Sequence, residues 1–293
     1  MTSDELNVSL AVLNNRRQII SSVVEKIQLP GVEHVVAVAS GKGGVGKSTV
    51  AANLALALSA EGYRVGLLDA DIYGPSQGAM MGVAEVRPEV SGDRLHPVMA
   101  HGIQCMSMGF VTSPNTPAVW RGPMASGALQ QLLTQTEWDN LQILLVDMPP
   151  GTGDIQLTLA QRVPLSGAVI VTTPQDIALL DARKGIEMFS KVQVPTLGVI
   201  ENMSTHVCSE CGHEEAIFGS GGGASIAAEY ETRVLAQLPL SMSIRQQSDQ
   251  GVPIVASAPD DPASESLRAA ARDIASALQE GQPEGPSIKV LDD

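Results

Sequence analysis

Residues Val35–Ser48 read VVAVASGKGGVGKS, and this stretch decides the fold. A β-branched run ends in a glycine-rich turn, and an alanine-rich helical stretch follows. Gly41, Gly46, Lys47 and Ser48 fill the pattern GxxxxGK[ST], which lies between a strand and a helix. Glycines let the backbone N–H groups point inward at an anion, and the helix N-terminus adds partial positive charge. The stretch therefore predicts a phosphate-binding loop.

The residue types in this loop predict its ligands. Lys47 can reach the β- and γ-phosphates of a nucleotide, and the Ser48 hydroxyl can bind Mg²⁺. Lys42 is a second lysine, which the general pattern does not require. The predicted nucleotide-binding residues are Gly41, Lys42, Gly43, Gly44, Val45, Gly46, Lys47, Ser48 and Thr49.

Acidic residues follow two further predicted strands. Asp69 and Asp71 come at the end of a strand over 64–69, and one carboxylate there can position a water molecule for attack on the γ-phosphate. Asp69 can orient the loop by hydrogen bonds. Asp147 ends an apolar run and has the position of an acid that holds Mg²⁺ directly or through water. Asp154 either senses the γ-phosphate or caps a helix.

Strands and helices continue to alternate as far as a closing helix over 262–280. This alternation predicts an α/β fold with a doubly wound, mostly parallel sheet and helices on both faces. We expect a helical appendage over 1–33, a P-loop ATPase domain over 34–280 and a flexible tail over 281–293.

Composition excludes several classes of protein. The 293 residues carry a formal net charge of −14, which disfavours a nonspecific DNA-binding role. No apolar run is long enough for a membrane span, so we expect no membrane partner. Three cysteines, an odd number, favour a reducing cytoplasm over a disulfide scaffold.

A second chemical feature lies over 206–213, where two histidines flank a pair of cysteines. A CxxC pair indicates either metal or redox chemistry. Cys208 and Cys211 can form a redox dithiol, or bind zinc together with His206 and His213. They can also supply two of the four thiolates of a [4Fe–4S] cluster, with two chains completing the set. The third cysteine, Cys105, lies in an apolar run and is expected to be an inert core thiol.

Taken together, these motifs resemble the Mrp/ApbC branch of the ATPase family that contains MinD, ParA and the nitrogenase iron protein. The motifs that carry the likeness are GKGGVGKS, 69–76, 119–124, 147–154, 172–176, 201–204 and the CxxC pair. Members of this branch are iron–sulfur cluster carriers. The resemblance implies that Lys42 crosses a dimer interface to the partner's nucleotide and that Asp71 orients water. It also implies that Cys208 and Cys211 bridge a cluster between subunits, and that Asn202 contacts adenine beside Pro239.

The predicted protein is therefore a homodimeric ATPase in which Lys42, Lys47 and Asp71 are catalytic. Ser48 and Asp147 hold Mg²⁺, and a labile [4Fe–4S] cluster passes from a cluster donor to apo iron–sulfur proteins. Two alternatives are a spatial regulator of the MinD/ParA type and a zinc-stabilised ATPase. A third is an electron-donating reductase, although its cluster cysteines would be expected on separate loops.

Overall fold

The structure is a computed structural model, and it describes residues 26–111, 122–208 and 210–280. Most of the predicted helical appendage and the predicted tail lie outside these residues. The described chain begins in extended form, with Ile27 and Leu29 buried against the main domain. The Ile27 N–H donates to the Arg162 carbonyl at 2.8 Å, which attaches this segment to a surface helix.

Twelve strands lie in the described residues. They are β1 (Val32–Ala39), β2 (Val65–Asp69), β3 (Val90–Ser91), β4 (Arg94–Leu95), β5 (Val98–Ala100), β6 (Ile103–Ser107), β7 (Leu141–Asp147), β8 (Gly167–Thr172), β9 (Thr196–Glu201), β10 (His206–Val207), β11 (Glu214–Glu215) and β12 (Val234–Gln237).

The helices alternate with the longer strands. They are α1 (Lys47–Ala60), α2 (Gln77–Met80), α3 (Met108–Val111), α4 (Gly122–Gln135), α5 (Asp154–Arg162), α6 (Asp176–Lys191), α7 (Gly222–Glu229), α8 (Met242–Asp249), α9 (Ile254–Ser257) and α10 (Pro262–Glu280). Within the described residues, no helix is both long enough and apolar enough to cross a membrane.

Eight strands form one sheet in the order β12-β9-β8-β1-β7-β2-β6-β5. Neighbouring strands are parallel except β5 and β6, which are antiparallel. All six residues of β8 are buried, as are all five of β2, because helices cover both faces. This architecture confirms the predicted doubly wound, mostly parallel sheet.

Helix α1 is buried around most of its circumference instead of along one stripe. It packs between the sheet and α10. Its alanines allow close approach on every side, while Leu54 and Leu58 fill the remaining space. This packing fixes the N-terminus of α1, and therefore the phosphate loop, at the carboxyl end of the central strand β1.

Three features differ from the expectations. β1 begins at Val32, so the sheet starts inside the segment that we assigned to the appendage. The segment between β2 and β6 contains β5 and the short β3–β4 pair, which the sequence analysis did not predict. The loop that carries the CxxC pair contains an antiparallel hairpin, β10–β11.

Candidate functional site

The phosphate loop requires glycine at two positions for reasons that the structure makes explicit. Gly46 has φ 82° and is the N-cap of α1, and a Cβ there would lie 2.2 Å from Asn202 Nδ2. A Cβ on Gly41 would lie 2.0 Å from the Asp181 carbonyl oxygen on α6. Neither position can hold a larger residue unless its surroundings shift.

A cavity of about 220 Å³ is lined by six of the predicted nucleotide-binding residues and by the loop after β2. Gly41, Lys42 and Val45 are not among its lining residues. Lys47, Ser48 and Asp71 all contribute to its wall. The other lining residues are Ser40, Gly43, Gly44, Gly46, Thr49, Ser76, Met80 and Pro150. The expected cavity therefore lies at the carboxyl ends of the parallel strands, where ligands bind in such folds.

Lys47 and Asp147 form an ion pair at the floor of this site. Their side chains are 6% and 0% exposed, respectively. The Lys47 ammonium also donates to Ser48 Oγ at 3.2 Å. The predicted phosphate-binding lysine and the two predicted magnesium ligands are thus in direct contact.

Gln77, which the sequence analysis missed, joins the same cluster. Its Nε2 donates to Asp147 Oδ2 at 2.7 Å and to the Ser48 carbonyl at 2.9 Å. A glutamine eight residues after Asp69 belongs to none of the motifs described above, so no signal in the sequence identifies it.

Asp69 holds the loop after β2 by hydrogen bonds, as predicted. Its Oδ2 accepts from the N–H groups of Ser76 and Gln77, both at 2.9 Å, and its Oδ1 accepts from the Asp71 N–H at 3.1 Å. Burial, and secondarily the nearby charge of Asp147, raises the pKa of Asp69 to about 7. The carboxyl group therefore titrates near neutral pH.

The other two predicted acids lie in different places: Asp71 lines the cavity, whereas Asp154 begins a helix. Asp71 is half-buried, and its Oδ1 accepts from the Gly74 N–H at 3.2 Å. Asp154 is the first residue of α5, while Gly153 occupies the N-cap. The helix-cap interpretation of Asp154 is therefore wrong.

Lys42 lies within the phosphate loop, and Asn202 contacts it. The Lys42 side chain is half-buried, and its carbonyl accepts from Ser40 Oγ at 2.8 Å. Asn202 is buried, and its Nδ2 donates to the Val45 carbonyl at 2.9 Å. Pro239 follows β12 and is half-buried. Contact of Asn202 and Pro239 with adenine stays a prediction.

The cysteine hairpin comprises β10, β11 and the turn between them. The Cys208 N–H donates to the His213 carbonyl, and the Gly212 N–H donates to the Cys208 carbonyl, both at 2.9 Å. Cys208 is half-buried and Cys211 is exposed. Hydrogen bonds from the backbone N–H groups of Cys211 and Glu210, and then from the Cys211 side chain, lower the pKa of Cys208. These bonds favour the thiolate, which is the form that binds metals.

The hairpin histidines are the additional ligands of the zinc alternative, and Cys105 is the third cysteine of the chain. His206 Nδ1 lies 3.3 Å from the Leu240 carbonyl. Within the described part of one chain, no three His, Cys, Asp or Glu side chains are grouped so as to hold a metal ion. Cys105 is 2% exposed, and burial raises the pKa of its thiol to about 12. It is the inert core thiol that was predicted.

The phosphate loop after β1, the buried acid at the end of β7 and the parallel sheet define a P-loop NTPase. Among solved structures, an Archaeoglobus fulgidus nucleotide-binding protein in complex with ADP is 36% identical, with a TM-score of 0.68. The alignment covers 76% of this chain and 88% of that chain. Pyrococcus furiosus MinD is 20% identical over 83% of this chain and 98% of its own, with a TM-score of 0.62, which supports the fold alone.

The particular family follows from the sequence comparisons. The family model for the NUBPL iron-transfer P-loop NTPases matches residues 31–275, and the chain belongs to this family. A Pseudomonas fragi iron-sulfur cluster carrier protein is 64% identical, over 80% of this chain and 84% of its own. The mouse iron-sulfur cluster transfer protein NUBPL is 52% identical, over 86% of this chain and 80% of its own. The resemblance drawn from the motifs is confirmed.

Proposed function

We propose that this protein is an ATP-hydrolysing iron–sulfur cluster carrier. Two copies hold one [4Fe–4S] cluster as cargo and pass it to apo iron–sulfur proteins. Relatives at 64% and 57% identity bear the name iron-sulfur cluster carrier protein. The observation that carries the proposal is the accessible thiol pair of the cysteine hairpin, which lies on the same sheet edge as the phosphate loop.

The number of thiols requires two chains. A [4Fe–4S] cluster is normally held by four thiolates, and the hairpin provides Cys208 and Cys211. Cys105 is buried inside the sheet and is no candidate. A two-fold axis that passes between two hairpins supplies four thiolates in two symmetry-related pairs. Two-fold symmetry is the commonest symmetry of a homodimer.

The nucleotide chemistry uses the cavity beside α1. Ser48 and Asp147 offer the hydroxyl and carboxylate oxygens that Mg²⁺ prefers, and the bound ion would neutralise charge between the β- and γ-phosphates. Lys47 is bonded to Asp147, and the phosphates of a nucleotide give its ammonium a second anionic partner. Asp71, on the loop across the cavity, orients the attacking water. Lys42 reaches the nucleotide of the second copy.

The remaining assignments follow the family resemblance. Asn202 and Pro239 lie beside the adenine, on the side of the loop where Asn202 already contacts Val45. The protein works in the cytoplasm with a cluster donor and apo proteins as partners, without nucleic acid or membrane. The net charge of −14 supports the exclusion of nucleic acid.

The test is anaerobic reconstitution with iron and sulfide, followed by metal and sulfide analysis per chain. We expect about two iron atoms per chain and transfer to an apo [4Fe–4S] enzyme. Cys208→Ser or Cys211→Ser should each abolish stable binding, because each removes two of four ligands by symmetry. Cys105→Ser is the matched control and should bind the same amount of iron.

The zinc alternative predicts a different result from the same preparations. One zinc per chain, lost in His206→Ala or His213→Ala and accompanied by no anaerobic iron uptake, would overturn the carrier proposal. Loss of iron in the Cys105→Ser control would overturn the assignment of the hairpin thiols.

A further inference from the structure

Gln77 has an amide whose orientation is determined by its surroundings. Its side chain is 2% exposed and lies between α1 and β7. Both groups that it contacts, the Ser48 carbonyl and the Asp147 carboxylate, can only accept hydrogen bonds. The NH₂ group must therefore face them, and the amide oxygen must point the other way.

That amide oxygen is unsatisfied. Gln77 Oε1 is buried and has no hydrogen-bond partner among residues 26–111, 122–208 and 210–280. Buried polar atoms are nearly always paired in native proteins, because an unpaired one loses its hydration without compensation. The unpaired acceptor lies beside Ser48 and Asp147, the two residues predicted to hold magnesium. It indicates that a hydrogen-bond donor enters the site together with the bound metal or nucleotide.

We propose that Gln77 is a positioning residue of the magnesium site, an inference that rests on the proposed function. Its NH₂ group fixes the orientation of the Asp147 carboxylate, and its Oε1 accepts a hydrogen bond from a water molecule that the metal brings into the site. Partners of this kind orient metal-binding carboxylates and commonly change metal affinity when they are removed.

The backbone of Gln77 connects this site to the loop that carries Asp71. The Gln77 N–H donates to Asp69 Oδ2, and Asp69 Oδ1 accepts from the Asp71 N–H. One residue therefore contacts both the predicted magnesium ligand and the carboxylate that holds the water-orienting loop. A change in the position of Asp147 on metal binding reaches Asp71 through three hydrogen bonds. These bonds join Asp147 to Gln77, Gln77 to Asp69, and Asp69 to Asp71.

A purely structural role for Gln77, in which it only ties α2 to α1, makes a different prediction. Loss of a structural tie would weaken nucleotide binding equally with and without metal. Loss of a metal-positioning residue would weaken only the part of the affinity that magnesium adds. The ratio of ADP affinities with and without Mg²⁺ separates the two roles.

The experiment measures ADP binding to the full chain by isothermal titration calorimetry, in EDTA and in excess Mg²⁺. Gln77→Met removes both amide atoms and keeps an unbranched side chain of similar length. We expect its ADP affinity in EDTA to stay within about 2-fold of wild type, and the gain on adding Mg²⁺ to fall about 10-fold.

Gln104→Met is the matched control, because the Gln104 amide also makes two hydrogen bonds, both to the backbone of Asp139 and far from the cavity. It should keep the full magnesium-dependent gain. If Gln77→Met does not fold, Gln77→Leu carries the same test.

The outcomes distinguish this inference from the proposed function. A wild-type protein whose ADP affinity does not respond to Mg²⁺ would overturn the magnesium assignment and this inference with it. An equal gain in wild type and Gln77→Met would overturn the inference alone, and so would a parallel loss in EDTA and in Mg²⁺.

Discussion

Replacing Lys47 with methionine should destabilise the protein strongly, even with no nucleotide present. Asp147 is 0% exposed and Lys47 is 6% exposed, so water cannot take over the role of the ammonium. Gln77 Nε2 would remain as a neutral partner of Asp147. Removing one member of a buried ion pair costs about 3–5 kcal/mol, because the other charge stays buried without compensation. Methionine keeps most of the apolar stem, so the loss reports mainly on the charge.

The measurement is the free energy of unfolding in urea at pH 7.5 with EDTA, for Lys47→Met, Asp147→Asn and the double variant. We expect the double variant to recover most of the loss, because it leaves no unpaired charge. Total stabilities are commonly about 5–15 kcal/mol, so the single variant should show a large shift in midpoint.

Lys184→Met is the matched control for this prediction. Lys184 pairs with Asp181 on the surface, with side chains 57% and 24% exposed, and such pairs contribute about 0–1 kcal/mol. A loss below about 1 kcal/mol in Lys47→Met, similar to that control, would refute the argument that burial makes this pair strong.

Three further predictions concern the acids and the second lysine. Asp71→Ala should bind ATP normally but hydrolyse it about 10²-fold or more slowly, since it loses the group that orients water; normal turnover would contradict this role. Lys42→Ala should lose about 10³-fold in hydrolysis, and mixing it with Asp71→Ala should restore part of the activity if Lys42 acts across the interface. No rescue in verified heterodimers would place Lys42 within its own chain. Asp69, whose pKa rises from 3.8 to about 7 on folding, should make stability fall as pH rises between these values, because the unfolded chain releases its proton first. Across this pH interval the free energy of unfolding should fall by about 4 kcal/mol. Urea unfolding in EDTA should show a difference in stability between wild type and Asp69→Asn that changes with pH. A difference that stays constant with pH would count against the raised pKa.

The central fold could be predicted because its signals are local and consistent. The run before Gly41 has β-branched residues, the loop has its glycines, and α1 follows directly, so pattern and propensity agree. β7 and β8 are continuous apolar runs, which is the pattern of parallel strands whose two faces are both covered.

The short elements could not be predicted, because their stability comes from tertiary contacts. β5 has three residues and is defined by its pairing with β6. The β10–β11 hairpin has two residues on each side, and the Gly212 N–H bond to the Cys208 carbonyl closes its turn. Segments of this length carry too few residues for a periodic pattern to distinguish them from loop.

Gln77 shows a second limit, because its importance comes from two side-chain contacts with residues that are distant in the sequence. Its partners are 29 and 70 residues away, at Ser48 and Asp147, and the sheet brings them together.

The sheet topology also explains why the phosphate loop and the cysteine hairpin lie at the same end of the strands. They follow β1 and β9, which point the same way and are separated by β8, roughly 10 Å in all. Asn202, directly after β9, donates to the Val45 carbonyl, and the hairpin starts four residues later. One hydrogen bond and a short segment therefore link the backbone of the phosphate loop to the base of the cysteine hairpin, so the nucleotide site and the thiol site are parts of one connected structure.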